Sequence, residues 1–152
     1  KNLASDIALK IVEAQKSSLD GKLPLPPPPA TWKPSYGVYF DITTSSKQFI
    51  YFVDLDSSKD YGSSEELDTL FITKNNYIKR IDRCSDVDCS LLLLTPITSP
   101  LSITFTRPDY RANFNFAGAA VTGSQYVQIT ITSPNTASAK IKIYPSGRVQ
   151  VN

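Results

Sequence analysis

From Tyr36 to the end of the chain, apolar and polar residues alternate with a period of two in one short run after another. That pattern restricts the fold more than any other feature. Val127, Ile129 and Ile131 fall on one side of Tyr126–Thr132, while Gln128, Thr130 and Thr132 fall on the other. Within Ala139–Tyr144, Ile141 and Ile143 share a face and Lys140 and Lys142 lie opposite. Successive side chains of a strand point to opposite faces, so these runs predict strands with one wet and one dry side. Gly37–Asp41 and Gln48–Asp54, joined by a Thr/Ser/Lys turn, predict a hairpin in which Tyr39 and Tyr51 face outward. Further short strands are predicted at Leu67–Ile72, Tyr77–Ile81, Leu101–Thr106 and Asn113–Phe116. The unbroken apolar run Leu91–Thr95 suits a strand buried on both faces, and Arg148–Val151 closes the chain after a Pro-Ser-Gly turn.

Ahead of the strands, Lys1–Ser18 carries apolar groups at Leu3, Ile7, Ile11 and Ala14, with Ala4 and Ala8 beside them. Spacings of three and four residues put these on one narrow stripe of a helix. Asp20-Gly21 supplies its stop, with Gly able to take the left-handed conformation after the last turn. The helix opens without a capping residue in a chain that contains no methionine, which predicts a helix cut mid-course with sequence removed upstream. Lys22–Ser35 is proline-rich, and Pro26–Pro29 favours a stiff polyproline II connector to the sheet, with Trp32 packing beside it. The expected organisation is one globular domain: residues 1–21 helix, 22–35 connector and 36–152 β domain. An amphipathic helix on a mostly antiparallel β-sheet or two-sheet sandwich predicts the α+β class.

Composition narrows the function. The chain of 152 residues has a formal net charge of +2, too balanced to imply a strongly charged partner. It has no histidine, which removes the commonest general base, metal ligand and nucleophile activator. Catalysis is therefore not expected. The two cysteines, Cys84 and Cys89, are too few for a zinc site and wrongly spaced for a redox pair. A short-loop disulfide fits best, although two free thiols remain an alternative, and a bridge implies an oxidising, extracytoplasmic setting.

Together, LASDIALKIVEAQ, YGVYFD, QFIYFVDLDSSKDYG and the terminal IKIYPSGRVQV resemble the soluble part of type IV pilin-like proteins, in particular the minor pseudopilin and FimT-like branch. The resemblance spans Leu3–Gln15, Tyr36–Gly62 and Ile141–Val151. It implies a subunit anchored at first in the inner membrane by the hydrophobic half of its helix, then assembled into an extracellular filament with other pilin or pseudopilin subunits. Leu3, Ile7 and Ile11 would pack on the subunit's own sheet, leaving Lys10, Glu13 and Lys16 to neighbours. The filament's role, whether adhesion, motility, secretion or DNA uptake, does not follow from the resemblance. The rival readings are a secreted β-sandwich module that binds glycan, surface protein or DNA, and a carboxylate enzyme using Asp54, Asp56 and Asp60.

Two sets of residues could bind ligands. Asp54, Asp56, Ser58, Asp60 and Glu65 occupy positions 1, 3, 5, 7 and 12 of a loop, the alternating oxygen pattern that calcium favours. Lys59 stands where such a loop has its tight-turn glycine, and the bland reading is a solvated acidic turn. Otherwise no cofactor is expected. A second acidic group, Asp82, Asp86 and Asp88, sits among Arg80 and Arg83 and reads as a local ion-pair turn. Lys140, Lys142 and Arg148, with Arg107 and Arg111 as extensions, could contact DNA or another anion. Gly147-Arg148 matches part of the FimT-like basic motif, whereas Gln150 departs from it.

Overall fold

The N-terminal stripe is buried as its spacing requires. In the computed structural model, which describes residues 3–21, 34–84, 94–96, 99–105, 111–120 and 126–152, helix α1 runs from Leu3 to Leu19. Its residues Ala4, Ile7, Ile11 and Ala14 are almost fully buried, and Leu3 packs half-buried at the margin of the core. Small and β-branched side chains on this face let the backbone approach closely. Gly21 ends the helix with φ 64°, the left-handed position that glycine takes without strain.

The strands follow as β1 (Ser35–Phe40), β2 (Gln48–Asp54), β3 (Glu66–Phe71), β4 (Tyr77–Cys84), β5 (Leu94–Pro96) and β6 (Leu101–Phe105). After them come β7 (Ala112–Phe116), β8 (Ala119–Ala120), β9 (Tyr126–Thr132), β10 (Ser138–Ile143) and β11 (Val149–Val151). They form a six-stranded sheet, ordered β3-β2-β1-β6-β7-β8, and a five-stranded sheet, ordered β11-β10-β9-β4-β5. Every pairing is antiparallel, including the expected β1–β2 hairpin, in which Val38 lies opposite Tyr51.

One core joins the helix and both sheets: Ile7 and Ile11 from the helix, Val38, Phe40 and Ile103 from the first sheet, and Ile81, Ile129 and Ile141 from the second. The class is therefore mostly β, which corrects the α+β expectation. The reason is that each sheet carries an apolar inner face and finds its main cover in the other. Helix α1 touches β1 and β6 on one side and β10 and β11 on the other. It fills the flank of a sandwich and does not form a layer of its own. Tyr51 corrects a second expectation. It shares the inner face of β2 with Phe49 and Val53, is 5% exposed, and donates its hydroxyl to Ser17 Oγ at 3.2 Å. The proline-rich connector (22–33) and most of the Leu91–Thr95 run lie outside the described residues.

A second buried bond, beside that of Tyr51 to Ser17, ties helix to sheet. Ser18 Oγ, fully buried, accepts the Tyr36 N–H at 2.7 Å and is 3.0 Å from the Ala14 carbonyl, to which it donates. This bond sets where β1 starts relative to the last helical turn. Ser18→Ala would remove this buried hydrogen bond to the Tyr36 amide, a loss of about 1–3 kcal/mol. Urea unfolding should show that loss as a lower midpoint with an unchanged slope; an unchanged midpoint would remove the tie from the account.

Candidate metal centre

Strand β2 ends at Asp54, and the chain crosses to β3 through a loop closed by a single 3₁₀ turn at Ser63–Glu65. Polar and small residues dominate this loop, and its carboxylates organise it. Asp54 accepts the Ser58 N–H at 3.1 Å and the Lys59 N–H at 2.9 Å, one on each oxygen. Asp56 accepts the Ser58 N–H at 3.0 Å. Glu65 reaches back to both ends of the loop, accepting the Leu55 N–H at 2.8 Å and the Gly62 N–H at 2.7 Å. Backbone amides that no strand could use are thereby satisfied.

These bonds crowd three acids together. Asp54 and Glu65 are buried and Asp56 is exposed, yet ligand oxygens from all three lie within 4.8 Å of one another. An all-oxygen set of this kind could hold a hard metal ion. Burial pushes the Asp54 carboxyl up to about 6, against the pull of the Lys59 amide and with help from the charges of Glu65 and Asp56. Asp56 is held below the usual carboxylate range, chiefly by the hydroxyl and amide of Ser58. Lys59, at the position where a calcium loop has glycine, takes φ 61°. The backbone thus makes the left-handed turn without the residue suited to it, at a cost of about 1–2 kcal/mol.

The other two expected ligands serve different ends. Ser58 Oγ donates to the Asp60 carbonyl at 3.0 Å, and an Asp60 carboxylate oxygen accepts the Ser102 hydroxyl at 2.6 Å. Ser102 Oγ in turn accepts the Tyr61 N–H at 3.0 Å. This latch straps the loop over the outer face of the first sheet. The Tyr61 ring lies 4.5 Å from Tyr39 and 5.5 Å from Phe52, centre to centre, and Phe52 is fully buried on what would otherwise be a wet face. Gly37 lies directly beneath, where a Cβ would collide with the Ile103 carbonyl and come within 3.0 Å of the Phe52 ring. The sequence does not mark Ser102 for this role. The signal available was a hydroxyl on the polar side of Leu101–Thr106, which alone does not reveal a partner 42 residues away.

The remaining sites are scattered. Lys140 is exposed; the Lys142 ammonium lies 5.7 Å from the centre of the Tyr126 ring, and the Arg148 guanidinium 4.1 Å from that of Tyr144. Arg111 is exposed at the start of β7, and Arg107 lies outside the described residues. Arg80 grips buried Asp82 through two nitrogens, at 2.6 and 2.8 Å, on strand β4 and not in a turn. Cys84 is buried and disulfide-bonded; Cys89, Asp86 and Asp88 lie outside the described residues. No helix among the described residues is long and apolar enough to cross a membrane. Comparison with protein-family models, curated proteins and solved structures gives no match.

Because Asp54 binds its proton more tightly when folded, its contribution to stability is greatest in acid and fades as pH rises through about 6. In metal-free buffer the melting temperature should carry a component that falls between about pH 4 and pH 6. Asp54→Asn should flatten that component, and a variant curve parallel to the wild type would refute the assignment.

Proposed function

We propose that this chain is a structural, non-catalytic subunit of an extracellular filament of the type IV pilus or type II secretion pseudopilus kind, working through contacts with companion subunits. The observation that carries the reading is the outer face of α1. Leu9 is 66% and Val12 43% exposed, one helical turn apart, on the side away from the core. Glu13 and Lys16, both exposed, flank them, and Lys10 is held back, paired with Glu13 at 2.9 Å and stacked over Tyr51. Single exposed apolar residues are ordinary, but two on one helical stripe with charged borders suit a helix that packs against another. The disulfide at Cys84 supports a setting outside the cytoplasm. The chemistry available without histidine supports assembly over catalysis.

Calcium is the ion proposed for the acidic loop. Asp54, Asp56 and Glu65 would hold it, and its charge would offset the burial, and the lesser repulsion from Glu65 and Asp56, that raise the Asp54 carboxyl. In such a subunit the ion would stiffen a loop that forms part of the exposed surface.

Two measurements test this reading. Leu9→Glu with Val12→Glu should leave the melting temperature of the isolated chain unchanged, since both sites are exposed, while abolishing incorporation into sheared surface filaments in the producing cell. Normal incorporation of the doubly charged variant would refute the assembly role. Separately, millimolar calcium should raise the melting temperature and EDTA reverse the rise, the added stability being about 2.7 kcal/mol at a hundredfold excess over Kd. Asp56→Asn should lose that response, and a wild-type melting point indifferent to calcium would exclude the ion.

A further inference from the structure

We propose that a groove on the outer face of the second sheet binds one acidic sugar ring, independently of any role in assembly. The groove encloses about 260 Å³ beside the β9–β10 turn. That is slightly less than the 300–1,000 Å³ of sites that take drug-sized ligands, and it suits a single ring. Strand alternation assembles its floor. Val127, Ile129 and Ile131 point into the core, so Thr130 and Thr132 point outward, and both line the groove. Register then places Tyr77 of β4 and Ser138 of β10 directly opposite Thr132, one on each side. Ser133 adds a further hydroxyl at the turn.

Three features define the ligand. First, Thr132 is 8% exposed and its Oγ1 has no hydrogen-bond partner among the described residues. Leaving a buried hydroxyl unpaired is unfavourable, and a turn of the Thr132 side chain about χ1 that opens Oγ1 to the groove floor would let a ligand hydroxyl satisfy it. Second, the half-buried Tyr77 provides a flat apolar wall beside a row of hydroxyls, which matches a pyranose with its C–H face on one side and its O–H groups on the other. Third, a β-bulge between Ile78 and Arg80 carries exposed Lys79 to the rim, and among the described residues no carboxylate lines the groove. A cation without a lining acid favours a sugar bearing a carboxylate. One lysine is too little for a polyphosphate, which wants several cations together.

The test is a titration of the whole chain, followed by amide chemical shifts, with D-glucuronate, D-glucose and acetate at matched ionic strength. Glucuronate should move the amides of Tyr77, Lys79 and Thr130–Ser138 saturably. Glucose should move the same amides about tenfold more weakly, and acetate should leave them in place. Thr132→Val should melt no lower than the wild type, because it deletes an unpaired hydroxyl, yet weaken glucuronate at least about tenfold. Lys79→Gln, at an exposed position, should reduce glucuronate to the level of glucose. Equal shifts with acetate would reveal a simple anion site and overturn the proposal. So would the absence of saturable shifts with either sugar, or wild-type glucuronate binding by Lys79→Gln.

Discussion

The wedge made by α1 between two sheets is the constraint on which the rest of the molecule depends. Two twisted sheets facing each other leave an open flank, and water there would reach Ile103 on one side and Ile141 on the other. Ile7 and Ile11, with Ala4 and Ala14 above and below them, fill that flank and join the helix and both sheets into one core. Ser18 and Gln15 then fix the wedge at both sheets, the first through Tyr36 and the second through the Gly147 carbonyl at 3.2 Å. Because the inner side of the helix is spent this way, its outer side is free to carry Leu9 and Val12.

Legibility in the sequence followed how local each signal was. The period-two runs at Tyr126–Thr132 and Leu101–Thr106 place their strands within a residue or two, but the wet side they predict is absent, since the polar residues of β6 and β9 are buried along with the apolar ones. The stripe Ile7, Ile11, Ala14 likewise marks the buried side of the helix. The class departs from the α+β expectation because alternation shows that a face is covered without showing what covers it. Tyr51 was misplaced for the same reason: its hydroxyl invites an outward reading, but its parity with Phe49 and Val53 decides the matter.

The acidic loop divides in a similar way. Asp54, Asp56 and Glu65 meet because Glu65 folds back onto amides close to it in the chain, a contact that spacing can suggest. Asp60 and Ser58 do not join them, since Asp60 turns toward Ser102, and only the crossing of β6 beside β1 brings that residue near. Charge in this loop thus serves two masters, the closing of its own turn and the fastening of Tyr61 over Phe52.

The order of strands has its own consequence. The chain builds β1 to β3 in one sheet, crosses to lay down β4 and β5 in the other, returns for β6 to β8, and crosses again for β9 to β11. Each sheet is therefore a braid of two separate stretches of polypeptide, and neither can be completed before the chain has gone out and come back. Such interleaving makes contacts between distant residues dominate, so acquisition of the native state is expected to be slow and all-or-none, with no half of the molecule able to stand as a separately ordered unit.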